Sequence, residues 1–155
     1  MKKILFVCLG NICRSPLAEA IFRHRIGEYS WGRDIVCDSA GTSEWHQGEP
    51  ADERMRQAAA IHGISINSIS RQVRESDFFE FDIIVAMDRM NLEDLQTMNL
   101  SGSTASLVLL RSFNEAQDLD VPDPYYSARD GFETCYQIVS DAIDAFIPFL
   151  KDSSE

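Results

Sequence analysis

One stretch near the start constrains the fold more than any other. Lys3–Val7 is a short run of apolar, β-forming residues that breaks directly into Cys8-Leu9-Gly10-Asn11-Ile12-Cys13-Arg14-Ser15 and then Pro16. The apolar run reads as a buried strand. Pro16 suits the first turn of a helix, where its missing N–H costs nothing, and an amphipathic pattern continues to about Arg25. A strand that runs through a Gly-containing loop into a helix is the opening of an alternating α/β chain.

The alternation then repeats. Ile35–Ser39 reads as a second strand ending in the turn Ala-Gly-Thr, and residues 52–62 as a helix stopped by Gly63. Phe81–Ala86 reads as a third strand, Arg89–Met98 as a helix and Ser106–Leu110 as a fourth strand. An acidic loop runs to Pro124. A last helix over 128–150 carries Phe132, Cys135, Val139, Ala142, Ile143 and Phe146 at helical spacing, with Pro148 expected to bend or fray its end. Such a chain makes right-handed crossovers between parallel strands. The expected fold is α/β: a doubly wound four-stranded parallel sheet with helices on both faces, in a single domain spanning 1–155.

Charge narrows the partners. The formal charge of -11 is uneven: residues 1–75 hold ten Lys or Arg against nine Asp or Glu, residues 76–155 four against sixteen. Non-specific binding to nucleic acid or an anionic membrane needs clustered cations, so neither is expected. An anion site would have to rest on backbone dipoles and a few arginines, and the near-neutral first half suits it. The cysteines, Cys8, Cys13, Cys37 and Cys135, form no CxxC pair and read as reduced thiols of a cytoplasmic protein. The Met-Lys-Lys start followed by apolar residues resembles a signal peptide. However, the run ends at Leu9, Arg14 follows, and Val7 and Ile12 before the cysteines are not small, so export is not expected. No stretch approaches the ~20 apolar residues of a spanning helix.

The loop carries the chemistry. It lies at the carboxyl end of a strand, where open α/β sheets bind ligands. A loop curling into a helix N-terminus turns several N–H groups toward an anion. Gly10 lets the backbone bend closely, and Arg14 adds a planar fork of donors matched to phosphate. A thiol at Cys8, facing those dipoles and a guanidinium, is stabilised as a thiolate nucleophile, and Ser15 is placed to donate a hydroxyl to it. The implied reaction is in-line attack on phosphorus, with Leu9, Gly10, Asn11, Ile12, Cys13 and Ser15 lining the cradle. A Cys and an Arg at this spacing are common by chance; it is the strand, the Gly and the helix start in register that give the pair meaning.

A leaving phenolate needs a proton. Asp118, Asp120 and Asp123 are candidates, and spacing does not choose among them. Asp123 is favoured because Pro122 and Pro124 fix its backbone. Trp45 and Tyr125, aromatics in loops, are candidates to flank a substrate ring, with Tyr126 beside them. Asn11 tolerates a left-handed backbone. His62 reads, on its position alone, as a helix-end residue favoured by the dipole. Cys13 is a candidate partner for a reversible disulfide with Cys8.

The loop, with DSAGT at Asp38–Thr42, AMDRMN at Ala86–Asn91 and DPYY at Asp123–Tyr126, resembles the low-molecular-weight protein tyrosine phosphatases from Lys3 to about Phe149. The resemblance implies a phosphocysteine intermediate on Cys8, phosphate binding by Arg14 and Asp123 as general acid. It implies an aromatic cleft wall at Trp45 and Tyr125, and a bracing set of Asn11, Ser15, Ser39 and His62. Trp45 makes the chain similar to the branch that includes the eukaryotic enzymes, and family precedent supports Cys13 as a redox partner of Cys8.

The substrates expected are phosphotyrosine proteins or peptides, with inorganic phosphate as product. A cognate tyrosine kinase acting on Tyr125 and Tyr126 is a candidate partner. The expected state is a monomer with at most weak self-association. No His or Cys cluster has metal-ligand spacing, so no metal or other cofactor is expected. Two other readings share the architecture. An arsenate reductase needs relay cysteines that the region after the third strand does not offer. A cysteine phosphoryl carrier should lack the pair Arg14 and Asp123.

Overall fold

The computed structural model of the chain describes residues 2–99 and 102–153. Four parallel strands, β1 (Lys3–Cys8), β2 (Val36–Gly41), β3 (Ile83–Ala86) and β4 (Ser106–Leu109), form a sheet in the order β2-β1-β3-β4. The helices are α1 (Arg14–Ile26), α2 (Glu53–Ile61), α3 (Asp77–Glu80), α4 (Arg89–Met98) and α5 (Arg129–Ser153), with 3-10 turns at Ser30–Gly32 and Leu110–Ser112. From β1 the chain goes to β2 on one side and later to β3 on the other. Strand order therefore reverses at β1, and its carboxyl end opens into the crevice where such sheets hold ligands.

Alternation along the strands builds two cores, one on each face. Ile4, Phe6 and Cys8 point with Ile83 and Val85 toward α1, α2 and α5. Leu5 and Val7 point with Ala40, Ile84 and Ala86 toward Phe78 of α3 and Leu95 of α4. Both faces are covered, which is why β1 and β3 are apolar at nearly every position instead of alternating. At the centre of the larger core Phe6, Phe22 and Phe146 meet with ring centroids 5.6 to 6.2 Å apart. Phe146 also receives Phe113 at 4.9 Å.

The doubly wound parallel sheet is as expected, and the differences are local. β2 continues through Ala40 and Gly41, read from sequence as a turn, because Gly41 pairs with Cys8 and Gln72. β3 starts later than Phe81, since α3 precedes it and Phe81 caps that helix. Asp77 of α3 is fully buried and accepts from Arg71 Nη1 (3.0 Å), Arg71 Nη2 (3.2 Å) and the Arg74 N–H (2.8 Å). That pins residues 70–74 beside β2, where Arg71 and Val73 bond the backbone of Gly41. Pro148 does not end α5, which runs on to Ser153. Pro148 is exposed, so the carbonyl one turn before it can turn to water, while Phe146, Ile147 and Leu150 stay buried.

Phe146→Ala removes the ring shared by these aromatic contacts. It should lower unfolding free energy by about 3–5 kcal/mol in urea denaturation. A loss below about 1 kcal/mol would show that this cluster does not organise the core.

Candidate active site

Residues 8–15 leave β1 as a tight loop and enter α1. The loop's carbonyls are taken up by neighbouring segments: Thr42 N–H donates to Cys8 (2.9 Å), Ser43 N–H to Leu9 (2.9 Å) and Asp52 N–H to Ile12 (2.8 Å). The Ser70 hydroxyl donates to the Gly10 carbonyl at 2.9 Å. With carbonyls tied outward, the loop's N–H groups are left for the concave side, and the Asn11 N–H donates to Cys8 Sγ at 3.3 Å. Asn11 makes this turn in the left-handed region, φ 57°. Gly41 makes the close approach possible: a Cβ there would lie 2.7 Å from the Leu9 carbonyl oxygen and 3.1 Å from Gly10 carbon.

Cys8 Sγ is also 3.0 Å from Ser15 Oγ. Arg14 is buried; its Nη1 donates to Asp88 (2.6 Å) and the Val121 carbonyl (2.9 Å), and its Nη2 reaches Asp123 at 3.5 Å. Burial works to lower its pKa, but the nearby Cys8, the Asp88 hydrogen bond and the charges of Asp123 and Asp88 outweigh that, and the pKa rises. Its Nε is buried with no partner among the described residues.

Above the loop lies a cleft of about 50 Å³. Leu9, Gly10, Ile12 and Cys13 form its floor with Cys8 and Arg14, while Trp45, His46, Asp123, Tyr125 and Tyr126 form its walls. Larger hollows lie elsewhere, such as one of about 280 Å³ between α1 and Gly63–Ser68, whose lining includes no cysteine. Tyr125 is held between His46 (ring centroids 5.7 Å apart) and the Arg54 guanidinium at 5.4 Å. Of the three candidate acids only Asp123 lines the cleft. Asp120 is occupied by Arg89, whose N–H, Nε and Nη2 all donate to it and hold its carboxyl below the usual range. Asp118 accepts from the Asp120 N–H.

Asn11, Ser15 and Ser39 are brought together. Asn11 Nδ2 donates to Ser15 Oγ (2.8 Å) and Ser39 Oγ (3.0 Å). His62 is not in this set, contrary to the sequence expectation. It sits at the end of α2, which packs on α5; its Nε2 is 2.7 Å from Glu133 and its ring stacks on Tyr136 at 3.9 Å. Its place is taken by Glu19 of α1, which accepts from the Ser39 hydroxyl at 2.6 Å. Sequence reading missed Glu19, Asp88 and His46. Glu19 and Ser15 share a face of α1 one turn apart, but an acidic residue on a helix ordinarily faces water. Among the described residues no group of three or more His, Cys, Asp or Glu could hold a metal.

The four cysteines are free. Burial, then the charge of Asp52, pushes the Cys13 thiol far above its ordinary range. Burial pushes Cys37 and Cys135 each up to about 12. A raised thiol pKa keeps the proton on below that value, so these three resist alkylation from solution at neutral pH. Iodoacetate at pH 8 should therefore label Cys8 alone by peptide mapping, and phosphate should slow the labelling. Equal labelling of Cys13 would contradict this picture of its surroundings.

A sequence model described as low molecular weight phosphotyrosine protein phosphatase matches residues 3–155. The chain is 43% identical over 157 residues to a low molecular weight protein-tyrosine-phosphatase of Streptomyces coelicolor, covering 99% of this chain and 96% of that one. It is 42% identical over 138 residues to the human low molecular weight phosphotyrosine protein phosphatase, covering 88% and 87%. Its structure superposes on a crystal structure of a protein tyrosine phosphatase from Entamoeba histolytica with Hepes in the active site, with a TM-score of 0.94, 39% identity and complete coverage of both chains. With a thiol and a guanidinium gathered by the loop at the end of β1, and a family model that matches residues 3–155, the chain belongs to the low molecular weight phosphotyrosine protein phosphatase family.

Proposed function

We propose that this protein-tyrosine phosphatase hydrolyses phosphotyrosine in the cleft over Cys8, with Cys8 as nucleophile, Arg14 as phosphate clamp and Asp123 as general acid. The observation that carries this assignment is the convergence on Cys8 Sγ of the Asn11 N–H (3.3 Å) and Ser15 Oγ (3.0 Å), beside an Arg14 whose buried Nε has no partner among the described residues. Nη1 is committed to Asp88 and Val121, which leaves Nε and Nη2 as the fork that meets two phosphate oxygens.

The sulfur attacks phosphorus as the phosphate–phenol bond breaks, while the loop amides and Arg14 stabilise the equatorial oxygens. Asp123, on the rim, protonates the departing phenolate. It then takes a proton from the water that attacks the phosphocysteine, releasing inorganic phosphate and the thiolate. Ser15 and Asn11 stabilise that thiolate as it forms. Trp45, exposed at the rim, and Tyr125 receive the substrate ring between them.

Substrates are phosphoproteins. The proposed setting is the reducing cytoplasm, where the four free cysteines stay thiols, and the proposed state is a monomer. Cys13 is the proposed resolving thiol: peroxide oxidises Cys8 to the sulfenic acid, which condenses with Cys13 and loses water. Tyr126, 94% exposed, and Tyr125 are proposed acceptors for a tyrosine kinase. Neither Cys37 nor Cys135 lines the cleft, and no observation favours an arsenate reductase or a phosphoryl carrier.

Steady-state hydrolysis of phosphotyrosine and phosphoserine peptides tests the assignment. Wild type should turn over the tyrosine ester, Cys8→Ser should reduce turnover to background, and Asp123→Asn should slow it by about 10²–10⁴. Retained turnover in Cys8→Ser would sink the nucleophile assignment. An unchanged rate in Asp123→Asn would move the acid elsewhere.

A further inference from the structure

The hydrogen-bond set beneath Cys8 has a direction, and its terminus lies outside the cleft. Asn11 Oδ1 accepts from the Arg71 N–H at 3.0 Å, which settles which end of the amide is oxygen. Nδ2 therefore carries two hydrogens toward two hydroxyl oxygens, Ser15 Oγ at 2.8 Å and Ser39 Oγ at 3.0 Å. Each hydroxyl accepts from Asn11 and keeps its own single proton for another partner. The Ser39 proton goes to Glu19 Oε1 at 2.6 Å. The Ser15 proton has two acceptors in reach, Cys8 Sγ at 3.0 Å and the Ala40 carbonyl at 3.4 Å, and the sulfur is the nearer.

We propose that Glu19 is a positioning residue for catalysis: by holding the Ser39 proton, its carboxylate keeps Asn11 donating to Ser15 and the Ser15 hydroxyl donating to the Cys8 thiolate. The inference rests on Cys8 being the nucleophile and names what orients its hydroxyl partner. Without an acceptor at Glu19, the Ser39 proton competes for Asn11 Oδ1. An Asn11 amide turned to accept it presents oxygen to Ser15, whose proton then leaves the sulfur. The segment 70–74 resists that turn through the Arg71 N–H, so orientation is held from two sides.

The charge of Glu19 itself is matched. Arg23 Nη2, one turn on, lies 2.7 Å from Glu19 Oε2, with Glu19 buried and Arg23 largely exposed. Two groups of β2 also approach Glu19: the Ser39 hydroxyl donates to its Oε1 and the Cys37 thiol to its carbonyl at 3.9 Å. Those facing Cys8 are Arg14, Asp123, Cys13 and Cys135. What passes from Glu19 to Cys8 is thus the direction of donors, not net charge.

Glu19→Gln tests this. Arg23 demands an acceptor, so the new amide turns its oxygen to Arg23 and its NH₂ to Ser39, reversing the Ser39 hydroxyl. The readout is the rate of Cys8 alkylation by iodoacetate at pH 6 relative to pH 9, alongside turnover of an aryl phosphate and a denaturation curve. Glu19→Gln should lower the alkylation ratio and kcat by about tenfold, the scale of one hydrogen bond to a charged group, with little change in KM. In a Ser15→Ala background the same substitution should add nothing. Arg23→Met combined with Glu19→Gln lets the amide oxygen face Ser39 and should recover most of the ratio.

An unchanged ratio in folded Glu19→Gln overturns the proposal, as do losses that multiply in the double variant with Ser15→Ala or the absence of recovery with Arg23→Met. The alkylation ratio needs no turnover. A wild type that alkylates at Cys8 but does not hydrolyse phosphotyrosine would defeat the functional reading and still leave Glu19 tested.

Discussion

The loop from Cys8 to Ser15 can offer its amides to an anion only because other segments take its carbonyls. A buried carbonyl without a partner is costly. Four are met by other segments: those of Cys8 and Leu9 by the 42–43 turn, that of Ile12 by the backbone of Asp52 ahead of α2, and that of Gly10 by the Ser70 hydroxyl. Much of the remaining architecture follows from that need. β2 has to run two residues past the point where a turn would be natural, and Gly41 has to lack a side chain there. The buried Asp77 fixes Arg71, and Arg71 fixes Asn11. Two shells of polar contact, neither touching a substrate, define one strained backbone position.

The same economy resolves how an acidic protein holds a phosphate ester. The acidic excess of residues 76–155 does not avoid the cleft, since Asp88 and Asp123 both approach Arg14. Asp88 is the shorter contact and fixes one edge of the guanidinium, so the other edge faces Cys8. Short-range donors within a low-dielectric cradle outweigh a distant unfavourable field that water and salt largely screen.

Sequence carried the sheet, the loop and most of the cleft. The apolar runs of β1 and β3 and the position of Pro16 are local signals, and local signals survive reading in one dimension. Asp123 between two prolines was favoured for the same reason. What escaped needed three dimensions. His62 is linked to the loop by the family resemblance alone, whereas its position at the end of α2 carries it to Glu133 and Tyr136. Glu19 looked like the polar face of a helix, and only the packing of α1 against β2 reveals that this face is buried. Pro148 reads as a bend or a frayed end because propensity cannot show that its turn faces water while Phe146, Ile147 and Leu150 are held by the core.

The cradle that the loop forms with Arg14 has a consequence for the lifetime of the protein. Any tetrahedral oxyanion that it holds binds the folded chain and has no comparable site on the unfolded one. Occupancy then adds to resistance against heat and proteolysis in proportion to the logarithm of free anion. Orthophosphate, the product of the reaction, is such an anion. The concentration that slows turnover by filling the cradle is also the one that preserves the molecule, so inhibition and preservation share a single binding curve.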